Sequence, residues 1–236
     1  MSLTLYLHPL ASFCHKVLIA LYENGTPFAA RIVDLADEQS SAELLAHWPV
    51  GKIPVLHDGR NARTIPETSI IIEYLQQHYP GPVALLPVDA EACLQARLWD
   101  RFFDHYVSVP MAKIVTDRIR PEGRSDPHGV AEARAMLTTA YEMIEKQLSG
   151  RTWATGSEFT LADCAAAPAL FYAAIVQPIE DRHSNLTAYF ERLMTRPSVA
   201  RTINEARPYF EMFPYKESIP ARFREGMGTQ AGERLP

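Results

Sequence analysis

The stretch HPLASFCHKV, His8 to Val17, sets Ser12 and Cys14 almost side by side where a short apolar run gives way to an amphipathic one. A serine hydroxyl at a helix start either caps a backbone N–H or turns toward an anion held there. A cysteine two residues further on, inside the helix, is inert when burial keeps its thiol protonated. Two further stretches carry residues able to bind. VGKIPVL, Val50 to Leu56, places Lys52 beside the X-Pro step Ile53-Pro54, which by itself reads as a turn before a strand. IPETSIIIEYL, Ile65 to Leu75, opens a helix on Pro66-Glu67-Thr68-Ser69. The first N–H groups of such a helix have no intrahelical partner and attract a carboxylate, while Glu67 complements the positive end of the helix dipole.

Other chemistries are excluded by spacing and charge. The eight histidines and three cysteines show no HxxxH or CxxC pairing, so no metal site is expected. Cys14, Cys93 and Cys164 are odd in number and widely spaced, as free thiols are. No glycine-rich loop for phosphates is present. A net charge of −5 and a pI near 5.9 leave no basic footprint for nucleic acid or an anionic membrane. The N-terminus lacks the features of a secretion signal and no apolar run is long enough to span a bilayer, so the expected location is cytoplasmic.

The elements that position these residues follow from periodicity. LTLYL, residues 3 to 7, alternates as a strand; Phe13, Val17, Ala20 and Leu21 mark a helical face that Asn24-Gly25 stops. FAARIV is strand-like, and Ser40 with Glu43 forms a capping-box pattern for a second helix that Pro49 ends. Val55 to His57 and Arg63 to Ile65 flank the turn residues Asp58-Gly59 as an antiparallel hairpin, and a helix from Glu67 to about His78 closes the unit. Residues 1–80 thus form an α/β domain. Pro80, Gly81, Pro82 and Pro87 punctuate a linker over 81–89. Beyond it every periodic segment is helical: Ala90 to about Arg120 with a kink at Pro110, Pro127 to Leu148, Thr160 to Val176, Leu186 to Thr195, and Pro197 to Ala206. The all-helical domain occupies 90–206. Residues 207–236 form an irregular tail, in which RPYFEMFPYKESIP reads as a strap across the cleft and REGMGTQAGERLP as a fraying end. The basic loop RIRPEGR reads as solvated.

VGKIPVL and IPETSIIIEYL, in this order and followed by FTLADCAAAPAL (Phe159 to Leu170), resemble the cytosolic glutathione S-transferase family of bacterial type over almost the whole chain. The resemblance implies a thioredoxin-like N-terminal domain joined to an all-α helical-bundle C-terminal domain, a homodimer, and glutathione as co-substrate. It implies that the backbone of Ile53, exposed by a cis bond to Pro54, pairs with the cysteinyl unit of glutathione as a short added strand. It further implies that Thr68 binds the γ-glutamyl carboxylate, that Glu67 takes the ammonium, and that Lys52 reaches the glycyl carboxylate. Trp48 lines the same rim or plugs the domain seam. Thr160 and Asp163 match the family's capping box, with a stabilising role of around 1 kcal/mol.

The family activates the thiol with a hydroxyl or cysteine at the first helix's start, and Ala11 stands at that position. Ser12 is the nearest replacement, with Cys14 and the strand residue Tyr6 as alternatives; His15 is read as an exposed helix residue. An ordinary thiol, with a pKa of about 8.5, is only a few per cent ionised at neutral pH, so anion stabilisation is the chemistry required. The implied reaction is attack of the thiolate on a small apolar electrophile, with Phe102, Phe103, Tyr106 and Met111 as possible walls. Alternatives are a glutathione-dependent thiol-disulfide reductase, dehalogenase or isomerase on the same fold, or a non-catalytic binding protein.

Overall fold

The computed structural model describes residues 2–34 and 36–225. Strand β1 (Leu3–Leu7), helix α1 (Ser12–Glu23) and strand β2 (Ala29–Ile32) form a right-sized crossover unit, with β1 and β2 parallel. Helix α2 (Glu38–His47) leads to strands β3 (Val55–Asp58) and β4 (Arg63–Pro66) and helix α3 (Thr68–His78). The sheet order is β2-β1-β3-β4, antiparallel beyond β1.

Alternation along β1 sorts its side chains by face. Leu3, Leu5 and Leu7 join the main core with α1 and α3, whereas Tyr6 packs in a separate cluster with Val33, Leu44 and Val55 beneath α2. The cap of α2 differs from expectation: Asp37 accepts the Ser40 N–H at 2.7 Å, and Ser40 Oγ accepts the Asp34 N–H instead. A carboxylate at this position serves as well as a hydroxyl. The hairpin is tied to α3 through Asp58, which accepts from Tyr74 Oη and Tyr79 Oη at 2.7 Å and Asn61 Nδ2 at 2.8 Å. Against the cost of burial, these donors hold its carboxyl well below the usual carboxylate range.

Helix α1 is buried on all sides from Cys14 to Leu21, because it packs on α3 and also on two helices of the second domain, α7 (Leu161–Val176) and α9 (Pro197–Ala206). That domain also contains α4 (Ala90–Phe102), α5 (Val109–Asp117), α6 (Pro127–Gln147) and α8 (Ser184–Thr195). The continuous helix expected over Ala90 to Arg120 is interrupted. Residues Phe103–Ser108 form a π-helical turn, and the Val109 N–H bonds to the Asp104 carbonyl, five residues back. Pro110 has no N–H to give, so the ladder is already broken where the wider turn inserts.

Thr160 and Asp163 close the expected capping box at α7. Asp163, with no exposed surface, also accepts from Ala154 N at 2.8 Å and Tyr189 Oη at 2.6 Å.

The tail continues as a 3₁₀ turn (Arg207–Met212), another (Lys216–Ser218) and helix α10 (Ala221–Glu225). Phe210 stacks on Phe171, Phe213 meets Tyr172, and Arg118 of the basic loop lies over Tyr215 and pairs with Glu217. The strap is therefore fastened to the helical domain, with Tyr209 edge-on to His8. The fraying expected of the terminus falls outside the described residues from 226 on.

Candidate functional site

Two loops of the sheet domain converge on one rim. Gly51, at φ +68°, turns the chain after α2 in a conformation that side chains resist, and Lys52, Ile53 and Pro54 follow it across a cis Ile53-Pro54 bond. Neither the N–H nor the C=O of Ile53 has a backbone partner among the described residues. Beside them, Glu67 is held at φ +68°, ψ 117°, a conformation rare for a residue with a Cβ, immediately before α3. Such strain persists where the surroundings enforce it, commonly at ligand sites. Glu67 is exposed, Thr68 is buried, and Thr68 opens α3, whose first N–H groups have no intrahelical partner.

These residues line a cavity of about 330 Å³ with Phe13 and Trp48. Its opposite wall comes from the helical domain: Arg101 of α4, Asp104 and His105 of the π-turn, and Val109 of α5. The volume suits a small ligand.

Behind this wall lies a buried ion network joining both domains. Lys16 of α1 is 1% exposed, with Nζ 2.5 Å from Asp100 Oδ1 and 2.8 Å from Asp104 Oδ2. It also donates to Ser69 Oγ of α3 at 3.1 Å, and Ser69 donates to Asp100 at 2.7 Å. Arg101 pairs with Asp100 at 2.9 Å and Asp104 at 2.6 Å. Burial, helped by the neighbouring Asp100, pushes the Asp104 carboxyl above its usual range against the pull of Lys16 and Arg101.

The sequence-derived candidates separate clearly. Lys52, Ile53, Pro54, Glu67 and Thr68 all line the cavity, and Trp48 lines the rim. Ser12 is the first residue of α1, partly exposed and next to the lining Phe13, but is not itself in the wall. Cys14 is wholly buried, and burial pushes its thiol up to about 12, so it is not a thiolate at neutral pH. Tyr6 faces α2, where its hydroxyl lies 2.9 Å from His47 Nε2. His15 is buried rather than exposed, its ring held 2.5 Å from the Pro9 carbonyl, and burial lowers its pKa to about 4. Phe102, Phe103 and Met111 are core, and Tyr106 is exposed away from the wall. None of the strap residues lines the cavity, so the strap does not cross it.

Arg101, Asp104, His105, Val109 and Phe13 are the lining residues that sequence reasoning missed. The available signal was Pro110 together with a stripe at positions 101, 105 and 109, four residues apart and so on one helix face.

Comparison with known proteins gives consistent results. Profiles described as the N-terminal and C-terminal domains of glutathione S-transferase match residues 11–78 and 127–192. The glutathione S-transferase-like protein LUC7 of a Fusarium species is 34% identical over 160 residues, covering 67% of this chain and 71% of that protein. A stringent starvation protein A homologue from Histophilus somni is 28% identical, over 87% of this chain and 92% of its own length. Among solved structures, a glutathione S-transferase from Methylobacillus flagellatus KT with GSH bound aligns with a TM-score of 0.77 and 27% identity, covering 85% of this chain and 98% of that one.

Proposed function

The chain belongs to the glutathione S-transferase family, and from that premise we propose that its cavity binds glutathione and presents the ionised thiol to a small apolar electrophile. The observation that carries this reading is the convergence of Ile53, Glu67 and Thr68 on one cavity wall, with Glu67 locked in a strained backbone conformation. Thr68 and the N-terminus of α3 would take the γ-glutamyl carboxylate, Glu67 the ammonium, Ile53 the cysteinyl backbone and Lys52 the glycyl carboxylate. Holding both reactants in one cavity supplies proximity.

Ionisation of the thiol is favoured by the start of α1. Phe13 brings that terminus to the cavity, and no acidic residue occupies its first turn to oppose an anion. Ser12 offers its hydroxyl and N–H at the same terminus. Apolar electrophiles fit the surface formed by Phe13, Trp48 and Val109. A homodimer in the cytoplasm is part of the same proposal, supported by family membership.

Glu67→Gln keeps shape and strain while removing the charge. It should weaken glutathione binding in calorimetry about thirtyfold, corresponding to about 2 kcal/mol for a charge-assisted hydrogen bond. Unchanged affinity would remove Glu67 from the site. If the native chain bound glutathione but conjugated no electrophile, the non-catalytic reading would replace transfer.

A further inference from the structure

Resting on the glutathione reading, we infer that His105, carried into the cavity wall on the π-helical turn, is the proton acceptor for the bound thiol. The tripeptide's charged ends and backbone are assigned to Lys52, Ile53, Glu67 and Thr68. Arg101 is paired with Asp100 and Asp104, and Asp104 also with Lys16. The part of the wall left for the sulfur and its reaction partner is formed by Phe13, Trp48, Val109 and His105.

Within that remainder His105 is the one side chain able to accept a proton. A neutral imidazole keeps one ring nitrogen with a lone pair that can take a proton. The His105 side chain is exposed and makes no hydrogen bond, ion pair or ring contact with any described residue, so its ring nitrogens are free for a ligand. The three residues proposed from sequence for thiol activation lie elsewhere: Ser12 beside the wall, Cys14 in the core, Tyr6 beneath α2.

The backbone supplies the second observation. The bond from the Val109 N–H to the Asp104 carbonyl closes a π-turn at this point, and that turn carries His105 and Asp104 in the cavity wall between Arg101 and Val109. Single π-turns inside α-helices recur at functional sites.

In the step itself, the S–H bond breaks heterolytically, the electron pair stays on sulfur and the proton passes to an imidazole nitrogen. The thiolate and imidazolium stabilise each other as an ion pair, as Cys–His pairs do. A sulfur lone pair then forms the S–C bond, the leaving group departs with its bonding electrons as an anion, and the imidazolium returns its proton to solvent.

The test uses the full chain, glutathione and an activated chloronitrobenzene as probe. Calorimetry first establishes that the native chain binds glutathione; absence of binding defeats the glutathione reading itself. With binding present, His105→Gln should retain glutathione affinity within about threefold while the ultraviolet thiolate band of the bound tripeptide titrates at higher pH, toward the ordinary thiol value of about 8.5. The kcat/KM for the probe at pH 7 should fall about 10²-fold. Added imidazole should restore part of the turnover of His105→Ala, which a purely structural role would not allow. Ser12→Ala should stay closer to the native titration midpoint. A native midpoint and native kcat/KM in His105→Gln, or a larger shift in Ser12→Ala, would overturn the proposal.

Discussion

Lys16→Met should lower the unfolding free energy by about 4 kcal/mol, the cost of stranding buried charge when one partner of a buried ion pair is removed. Lys16 Nζ lies between Asp100 and Asp104, both almost wholly buried, and reaches Ser69 on the far side. Arg101 remains beside the two carboxylates, but its half-exposed guanidinium approaches Asp100 at Oδ2 and leaves Oδ1 to Lys16. The affected elements are α1, α3, α4 and the π-turn, so the damage falls on the junction of the two domains. For a chain of this length the midpoint of thermal unfolding should drop by about 10 °C. The double replacement Lys16→Met with Asp100→Leu should recover at least about 1 kcal/mol, because the penalty arises from the unpaired charge and not from the lost contact. Equal destabilisation in the single and double variants, measured by urea denaturation, would show that packing rather than charge governs the site.

Asp163→Ala should cost a similar amount, about 4 kcal/mol, far more than the loss of an ordinary helix cap. The carboxylate accepts the Thr160 N–H at 2.8 Å, the Thr160 hydroxyl at 3.1 Å, the Ala154 N–H at 2.8 Å and the Tyr189 hydroxyl at 2.6 Å. Truncation leaves these donors in an interior that water does not reach, and each buried donor without a partner costs about 1–3 kcal/mol. Relaxation around the smaller side chain returns part of that sum. Asp163 therefore links the start of α7, the segment before it and α8. Thermal and denaturant unfolding of Asp163→Ala and Tyr189→Phe would separate the two roles: the tyrosine variant should lose about 1 kcal/mol, the aspartate variant several times that. Values within error of each other would reduce Asp163 to a simple cap.

Both residues show where sequence is legible and where it is not. The Thr160/Asp163 pattern is local, three residues apart, and its capping role is written in the spacing; the reach to Tyr189, 26 positions on, is tertiary. Ile53-Pro54 and Glu67-Thr68 were readable for the same reason, since each motif shapes its own backbone. The facing wall was not. A lysine within an amphipathic helix reads as solvated, and Lys16 is buried only because α1 is covered on two sides. Asp104 and His105 reach the cavity from a π-turn that 3.6-residue periodicity does not anticipate, and the possible walls Phe102, Phe103 and Met111 are core instead. In Tyr6 the signal was present: with Leu3, Leu5 and Leu7 on one face, strand alternation already sets Tyr6 on the other.

The network behind the cavity gives the site its rigidity. Arg101 and Asp104 belong to the wall and to the ion cluster at once, so the orientation of the ligand-facing surface is tied to the packing of α1 against the helical domain. Sites held on packed helices in this manner keep their geometry better than sites carried on loops.

The most direct measurement is a crystal of the full chain soaked in saturating glutathione. The expected result is continuous density for the tripeptide in the cavity, its cysteinyl backbone paired with Ile53, its γ-glutamyl end at Thr68 and its sulfur turned toward Phe13 and His105. An empty cavity at saturation, or the tripeptide bound elsewhere on the molecule, would contradict a glutathione site between the Ile53-Pro54 rim and the π-turn.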